Sequence, residues 1–450
     1  MVRGKRDRRN TRLASGSVGR HLVTPFLVLS LVAVACGSGD GAGDGSSVVG
    51  SEVDRADAAP DLAQPFSAAI GSFGWDLYQE LASPDANLVF SPHSIGMALA
   101  MTRAGAAGET AAELDRVLHL DGVAAPHGGA NAVDLALAAA AGEHERPDGS
   151  TAEIEIGIAN ALWSQEGFGF QEPFLTTLAE SYGSAVRVVD FVGASEETRG
   201  QINQWVADRT ADRIGELIGP GVLSADTRTV LTNAVYLRAP WEYPFDEGGT
   251  APAPFVRLDG SEFEVELMSV NRSLRYARIG EVQAVELPYA GGRLSMVVVV
   301  PDHGAFPMTA STMDRTRFDE LLDGLQPTEV HLRLPAFGFE TNAGLVPPLV
   351  SLGLGSAFDP DRADFSAMTT EAPLFVSDVV HEAFIAVDED GTEAAAATAV
   401  VMDLTAAPAE VVELTVDRPF LFAIAHGDSR SVLFLGHVVR PERHGGEGSG

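Results

Sequence analysis

Four strand-like runs in the second half of the chain constrain its fold most: Arg228–Leu237, Arg293–Val300, Glu329–Leu334 and Ala372–Val387. Several of them are apolar at odd and even positions alike, so both faces must be covered by other layers. The first half reads differently. Phe66, Ile70, Phe73, Leu77 and Leu81 recur at helical spacing. Ser91-Pro92 supplies an N-cap oxygen and a first-turn proline for a second helix running through Ile95, Leu99 and Met101 to Gly105. Gly108 and Thr110 open a third, with Leu114, Val117 and Leu118 inward. Further helices are expected over 131–142, from Pro173, and over Thr198–Leu217, with strands at Ile154–Trp163, Val186–Phe191 and Val411–Val416. Helices lead and strands follow, with no internal repeat. That pattern predicts one large α+β domain over residues 62–441 rather than alternating βα units.

Composition narrows the function. Thirty Lys and Arg stand against 63 Asp and Glu, a formal charge of −33 in 450 residues. Nucleic-acid binding needs a basic footprint, so no nucleic-acid partner is expected. One cysteine excludes an intrachain disulfide framework and any cysteine-rich metal site. No helix opens on a G-x-S-x-G elbow, an H-E-x-x-H pair, a P-loop or a G-x-G-x-x-G turn. Consecutive carboxylates at Asp388-Glu389-Asp390 point to opposite faces of an extended segment and do not converge on a substrate. Neither a catalytic residue nor a metal nor a cofactor is expected.

The leading segment carries seven basic residues against Asp7, then an apolar run from Leu22 ending Ala33-Val34-Ala35-Cys36. Basic head, short apolar core and small residues predict a secretory signal over 1–36. Cys36 resembles the lipidated cysteine of bacterial lipoproteins, which would anchor the chain at a membrane; the alternative is an ordinary cleaved signal with an incidental cysteine. Residues 37–61, rich in Gly, Ser and Asp, read as a disordered tether, and 442–450 as a disordered tail. The expected location is extracellular, secreted or held at the outer face of the cell membrane.

The stretch from Val387 to Val401 carries the functional argument. Four alanines after Glu393 favour a helix by propensity, yet no hydrophobic helical face accompanies them. With a period of two, Thr392, Ala394, Ala396, Thr398 and Val400 share one small face, and Glu393, Ala395, Ala397 and Ala399 the other. Such a strand enters a packed sheet without overpacking it.

This segment resembles the hinge of the reactive-centre loop of serpins. Asn87-Leu88-Val89-Phe90-Ser91-Pro92-His93-Ser94-Ile95 and Gly105-Ala106-Ala107-Gly108-Glu109-Thr110 resemble that family's second and third helices. Thr232-Asn233-Ala234-Val235-Tyr236 with Trp241-Glu242 resembles the strand crossing its main sheet. Leu287-Pro288-Tyr289, Asp417-Arg418-Pro419-Phe420 and Phe434-Leu435-Gly436-His437-Val438 follow in the family's order. The resemblance is to a bacterial secreted or lipoprotein member. It implies a serpin fold of three β-sheets and about nine α-helices, with an exposed loop over about 388–410.

It also implies the activity: inhibition of a serine protease, which cleaves the loop, forms a covalent acyl complex and is trapped as the hinge inserts into the main sheet. A monomer is expected. Two alternatives stay open: a serpin-fold binding protein that does not inhibit, and an inhibitor of a cysteine protease. The implied hinge comprises Glu389, Gly391, Thr392, Glu393, Ala394, Ala395, Ala396, Ala397 and Thr398, with Gly391 placed at the bend. Family spacing places the cut at Thr405-Ala406, with Leu404 and Met402 as alternatives. No Arg or Lys lies in this window, which favours an elastase-, subtilisin- or chymotrypsin-like target over a trypsin-like one. The implied shutter is Ser91, Ser94, Asn233 and His381, and the implied breach residue is Trp241. A histidine there could make opening depend on pH near neutrality.

Overall fold

The structure, a computed structural model, describes residues 46–371, 373–392 and 411–443. Among these residues the chain forms nine α-helices. Helix α1 (Ala63–Leu81) buries Phe66, Ile70, Phe73 and Leu77 along one face. Helix α2 (Pro92–Ala104) starts as its sequence predicts: Ser91 Oγ accepts the Ser94 backbone N–H at 3.1 Å. After α3 (Gly108–Val117), α4 spans Pro126–Ala138, earlier than expected because Pro126 occupies its first turn. Helices α5 (Glu172–Tyr182), α6 (Phe191–Arg209), α7 (Phe306–Thr312), α8 (Arg315–Gly324) and α9 (Val346–Ser351) complete the set.

Helix α6 begins and ends before the expected Thr198–Leu217. Thr210 Oγ1 turns back to the Val206 carbonyl at 2.9 Å, and Ala211 and Asp212 take left-handed φ of 50° and 59°. The chain beyond is held instead by Asn203, which bonds both the N–H and the carbonyl of Ile218 at 2.9 Å.

The main sheet has the order β1-β5-β4-β6-β14-β13-β12, with β3 beside β4. Its strands are β1 (Ser47–Val49), β3 (Gly142–Glu145), β4 (Thr151–Gln165), β5 (Val186–Val189), β6 (Thr229–Pro240), β12 (Phe337–Gly344), β13 (Asp378–Val387) and β14 (Gly391–Thr392). Strand β13 starts later than expected, because Pro373 has no N–H and the Val376 N–H goes to the Ala357 carbonyl. Likewise β5 stops at Val189, and Phe191 opens α6.

A second hydrogen-bonded network runs β15-β11-β8-β9-β10-β16-β17-β2, with β7 beside β8. These strands are β2 (Leu88–Phe90), β7 (Ala251–Val256), β8 (Glu262–Ile279), β9 (Val282–Pro288), β10 (Leu294–Pro301), β11 (Gln326–Pro335), β15 (Val412–Thr415), β16 (Phe420–His426) and β17 (Val432–Val438). The long β8 pairs with β11 over Leu267–Tyr276 and with β9 over Arg275–Ile279. Among the described residues the strands thus form two hydrogen-bonded networks where three sheets are expected, because the long β8 pairs with β11 along one part and with β9 along another.

Two boundaries move outward. The tether expected over 37–61 is structured from its middle: Ser47–Val49 pair antiparallel with Val186–Val188, and Arg55 binds Asp134 and Asn131 at 2.6 and 2.8 Å. The tail expected from 442 is engaged at its start, since the Gly338 N–H donates to the Glu442 carbonyl at 2.7 Å. In both segments a sparse polar composition hides bonds that the folded surface supplies.

Two cores position the site. The larger joins α1, α2, the main sheet and strands β10, β16 and β17, with α2 touching both β4 and β6 on one side and β17 on the other. The smaller lies on the outer face of the main sheet, where Trp205, Ile202 and Val206 of α6 cover Trp163, Val230, Ala234 and Val380.

Candidate functional site

Strands β6 and β13 run parallel and pair directly from Asp378↔Val230 to Ala383↔Val235. Above that stretch they are separated by β14. Gly391 and Thr392 pair with Pro240 and Ala239 of β6, and Thr392 pairs with Val387 of β13. Gly391 and Thr392 of the expected hinge thus lie as a short strand between the two central strands.

A closed polar chain ties the directly paired part together. Asn233 on β6 sits opposite His381 on β13 and opposite Asn160 on β4. Its amide donates to Ser94 Oγ and to Asn160 Oδ1, both at 2.7 Å, and Ser94 Oγ donates to Asn160 Oδ1 at 2.7 Å. His381 Nε2 accepts the Ser91 backbone N–H at 3.1 Å, which leaves Nδ1–H to donate to Asn233 Oδ1. Ser91, Ser94, Asn233 and His381 are all 0% exposed. Directional bonds of this kind can change partners when strands part, which an apolar layer cannot do.

The ring is neutral near pH 7. Burial disfavours the imidazolium and pushes the His381 pKa down to about 3. The expectation that His381 titrates near neutrality is therefore corrected. Asn160 went unpredicted; its signal is a lone amide on the inward parity of the strand-like run Ile154–Trp163.

The expected hinge opens on a turn at residues 388–391. Asp388 Oδ1 accepts the Asp390 and Gly391 N–H groups at 2.9 and 3.1 Å, and the Asp388 N–H reaches the Gly391 carbonyl at 2.9 Å. Trp241, directly after β6, receives the turn. Its backbone N–H donates to the Asp390 carbonyl at 2.8 Å and its indole N–H to the Asp388 carbonyl at 3.0 Å. The Phe245 N–H takes the Glu389 carbonyl at 2.8 Å.

Beneath this turn the Trp241 ring stacks on Tyr289, with centroids 4.5 Å apart and planes at 7°. Tyr289 and Thr392 share a hydrogen bond of 2.6 Å between their hydroxyls, and Thr392 is 1% exposed. Burial pushes the Tyr289 phenol pKa upward, so this bond joins two neutral hydroxyls. A Cβ on Gly391 would lie 2.4 Å from the Ala239 carbonyl oxygen. Gly391 closes the turn, at the bend where it is expected, and glycine is needed there for close approach to β6.

Glu389 is held by its side chain as well. Its carboxylate accepts from Thr250 Oγ1 at 2.7 Å and pairs with the Arg443 guanidinium. Burial raises the Glu389 pKa, but the Thr250 bond, a backbone N–H and Arg443 outweigh it, and the carboxyl titrates below its usual range. Thr250 and Arg443 also went unpredicted, and nothing in the local sequence marks either.

Glu393, Ala394, Ala395, Ala396, Ala397 and Thr398 lie outside the described residues, as do Met402, Leu404, Thr405, Ala406 and Cys36. Among the described residues no group of three or more His, Cys, Asp or Glu side chains could hold a metal ion.

A family model described as Serpin (serine protease inhibitor) matches residues 68–441. The chain belongs to the serpin family. Its sequence is 35% identical to a leukocyte elastase inhibitor A of Rattus norvegicus over 389 residues, covering 84% of this chain and all of that protein. An uncharacterized serpin-like protein of Thermococcus kodakarensis is 36% identical over 383 residues, covering 84% of this chain and 86% of that one. Among solved structures, the thermophilic serpin tengpin in its native state superposes with a TM-score of 0.76 at 26% identity, covering 88% of this chain and 99% of that chain. Uncleaved ovalbumin, at 24% identity and a TM-score of 0.71, shares the serpin fold.

Proposed function

We propose that this serpin inhibits an extracellular serine protease by suicide cleavage and loop insertion. The protease serine attacks a carbonyl within residues 402–407, the peptide bond breaks, and the new amine leaves with a proton. The cut segment then follows Thr392 between β6 and β13 before water can release the ester. The observation that carries this reading is β14: Gly391 and Thr392 occupy the interstrand space at one end, while β6 and β13 pair directly at the other. Insertion replaces one parallel ladder by two antiparallel ones and pairs backbone that water solvated before, which favours the inserted state. The hinge side chains support the same reading, since Thr392 already fits its buried place.

The target class follows from the window Met402 to Ala407. It holds small and apolar residues with no Arg or Lys, suited to elastase-, subtilisin- or chymotrypsin-like pockets. Similarity to a protein named leukocyte elastase inhibitor agrees with that choice. The basic and apolar leader supports action outside the cytoplasm, with the chain secreted or anchored through a lipid on Cys36. Mass spectrometry of the mature N-terminus distinguishes these two.

The central test is incubation with subtilisin, elastase and chymotrypsin. An adduct that survives SDS is expected with at least one of them, and the loop-cleaved protein should melt well above the uncleaved one. Thr392→Arg should be cut without forming the adduct, because a guanidinium cannot occupy the buried place beside Tyr289. Cleavage within 402–408 that leaves the melting temperature unchanged would refute the mechanism.

A further inference from the structure

Arg443 lies beyond the last strand, in a segment whose composition suggests no role, yet it is bonded to the hinge. After β17 the chain passes β12, where the Gly338 N–H holds the Glu442 carbonyl at 2.7 Å. That bond delivers the Arg443 guanidinium to Glu389 Oε1, the oxygen that also accepts from Thr250. The Glu389 side chain is 17% exposed and that of Arg443 48%, so the pair is only partly shielded from salt.

Glu389 sits in the turn that sets the register Val387↔Thr392. The turn's carbonyl oxygens are bonded on one flank, to Trp241 and Phe245 after β6. Arg443 arrives on the C-terminal segment, which is itself bonded to β12, separated from β6 by β14 and β13 in the sheet order. The turn is thus held from both sides of the place where a new strand would enter. Register matters here because a slip of one residue would send Glu393, instead of small hinge residues, to the buried face.

We propose that Arg443 is a positioning residue of the inhibitor. Its ion pair with Glu389 keeps the 388–391 turn in place, so that the strand following Thr392 enters in register. The C-terminal segment through residue 443 then belongs to the inhibitory device. This inference rests on the insertion mechanism proposed above.

The test uses the full chain as wild type, Arg443→Ala and Arg443→Lys, with two readouts. The first needs no protease: hydrogen exchange of the amides of Asp390, Gly391, Trp241 and Phe245 in the uncleaved protein. The second is the number of inhibitor molecules consumed per protease molecule inactivated, at low salt and in about 1 M NaCl, where a partly exposed pair is weakened. For Arg443→Ala both the exchange and the consumption should rise about threefold, the scale of a partly exposed ion pair. Arg443→Lys should restore most of the difference. High salt should move the wild type toward the Arg443→Ala values and shift that variant less. Wild-type exchange and consumption in Arg443→Ala would overturn the proposal. A wild type that forms no adduct would overturn the insertion mechanism and with it the role in inhibition; the exchange rates alone decide whether Arg443 holds the turn.

Discussion

His381 shows how one side chain links the sheet to solution conditions. It donates through Nδ1 and accepts through Nε2, so a second proton would break the bond from Ser91 as well as place a charge in the core. Its folded pKa of about 3 lies far below the ordinary value of 6.5. Between these values the unfolded chain binds a proton that the native state refuses. The stability supported by the neutral ring is thus present above about pH 6.5 and is lost as pH falls toward 3. His381→Gln can make both bonds without titrating. Across pH 4–6 its unfolding free energy should depend on pH more weakly than wild type by up to about 1.4 kcal/mol per pH unit. Chemical denaturation at several pH values checks this, and parallel curves would contradict it. His93 and His127, each lowered to about 4 chiefly by burial, add to the acid sensitivity of both proteins alike.

At the scale of elements, α6 and the segment after it cover the outer face of the main sheet where a new strand would run. Ile214, Leu217 and Ile218 pack in one cluster with Val230, Ala234 and Val380. Asn203 pins that segment through Ile218, and the Asn342 amide of β12 reaches the Leu217 carbonyl at 3.3 Å. Asn203→Ala would leave the buried Ile218 N–H without a partner and its carbonyl to Arg199 alone, and should destabilise the uncleaved protein by about 1–3 kcal/mol. Urea unfolding measures the loss; an unchanged midpoint would mean the cover is held by its apolar contacts alone. The elements also show where the sequence is legible. Helix starts such as Ser91-Pro92 and α1's apolar face depend on neighbours within a few residues and are where the pattern puts them. The end of α6 and the start of β13 are decided by distant partners, Ile218 and Ala357, and were misplaced.

For the whole molecule, a formal charge of −33 means that like charges repel across the folded surface. Raising the ionic strength screens that repulsion over distances beyond about 3 Å at 1 M. The melting temperature of the uncleaved protein should therefore rise from about 50 mM to about 1 M NaCl, opposite in direction to the salt effect on the Arg443 pair. A flat or falling melting temperature over that range would show that local ion pairs outweigh net repulsion.

The α+β class and the helix starts could be read along the chain, because each depends on residue type and short spacing; Ser91, Ser94, Asn233 and His381 stand out only through the family resemblance, and the alternating small face beyond Thr392 lies outside the described residues. The main sheet's pairings could not be read along the chain. Asn160 joins the buried polar ring of Ser94 and Asn233, β1 extends the sheet, and Gly391 is needed because the Ala239 carbonyl oxygen passes 2.4 Å from where a Cβ would lie. Arg443 meets Glu389 across 54 residues of chain. Those facts arise only when distant strands come together, since a contact between remote segments leaves no periodic trace in either one.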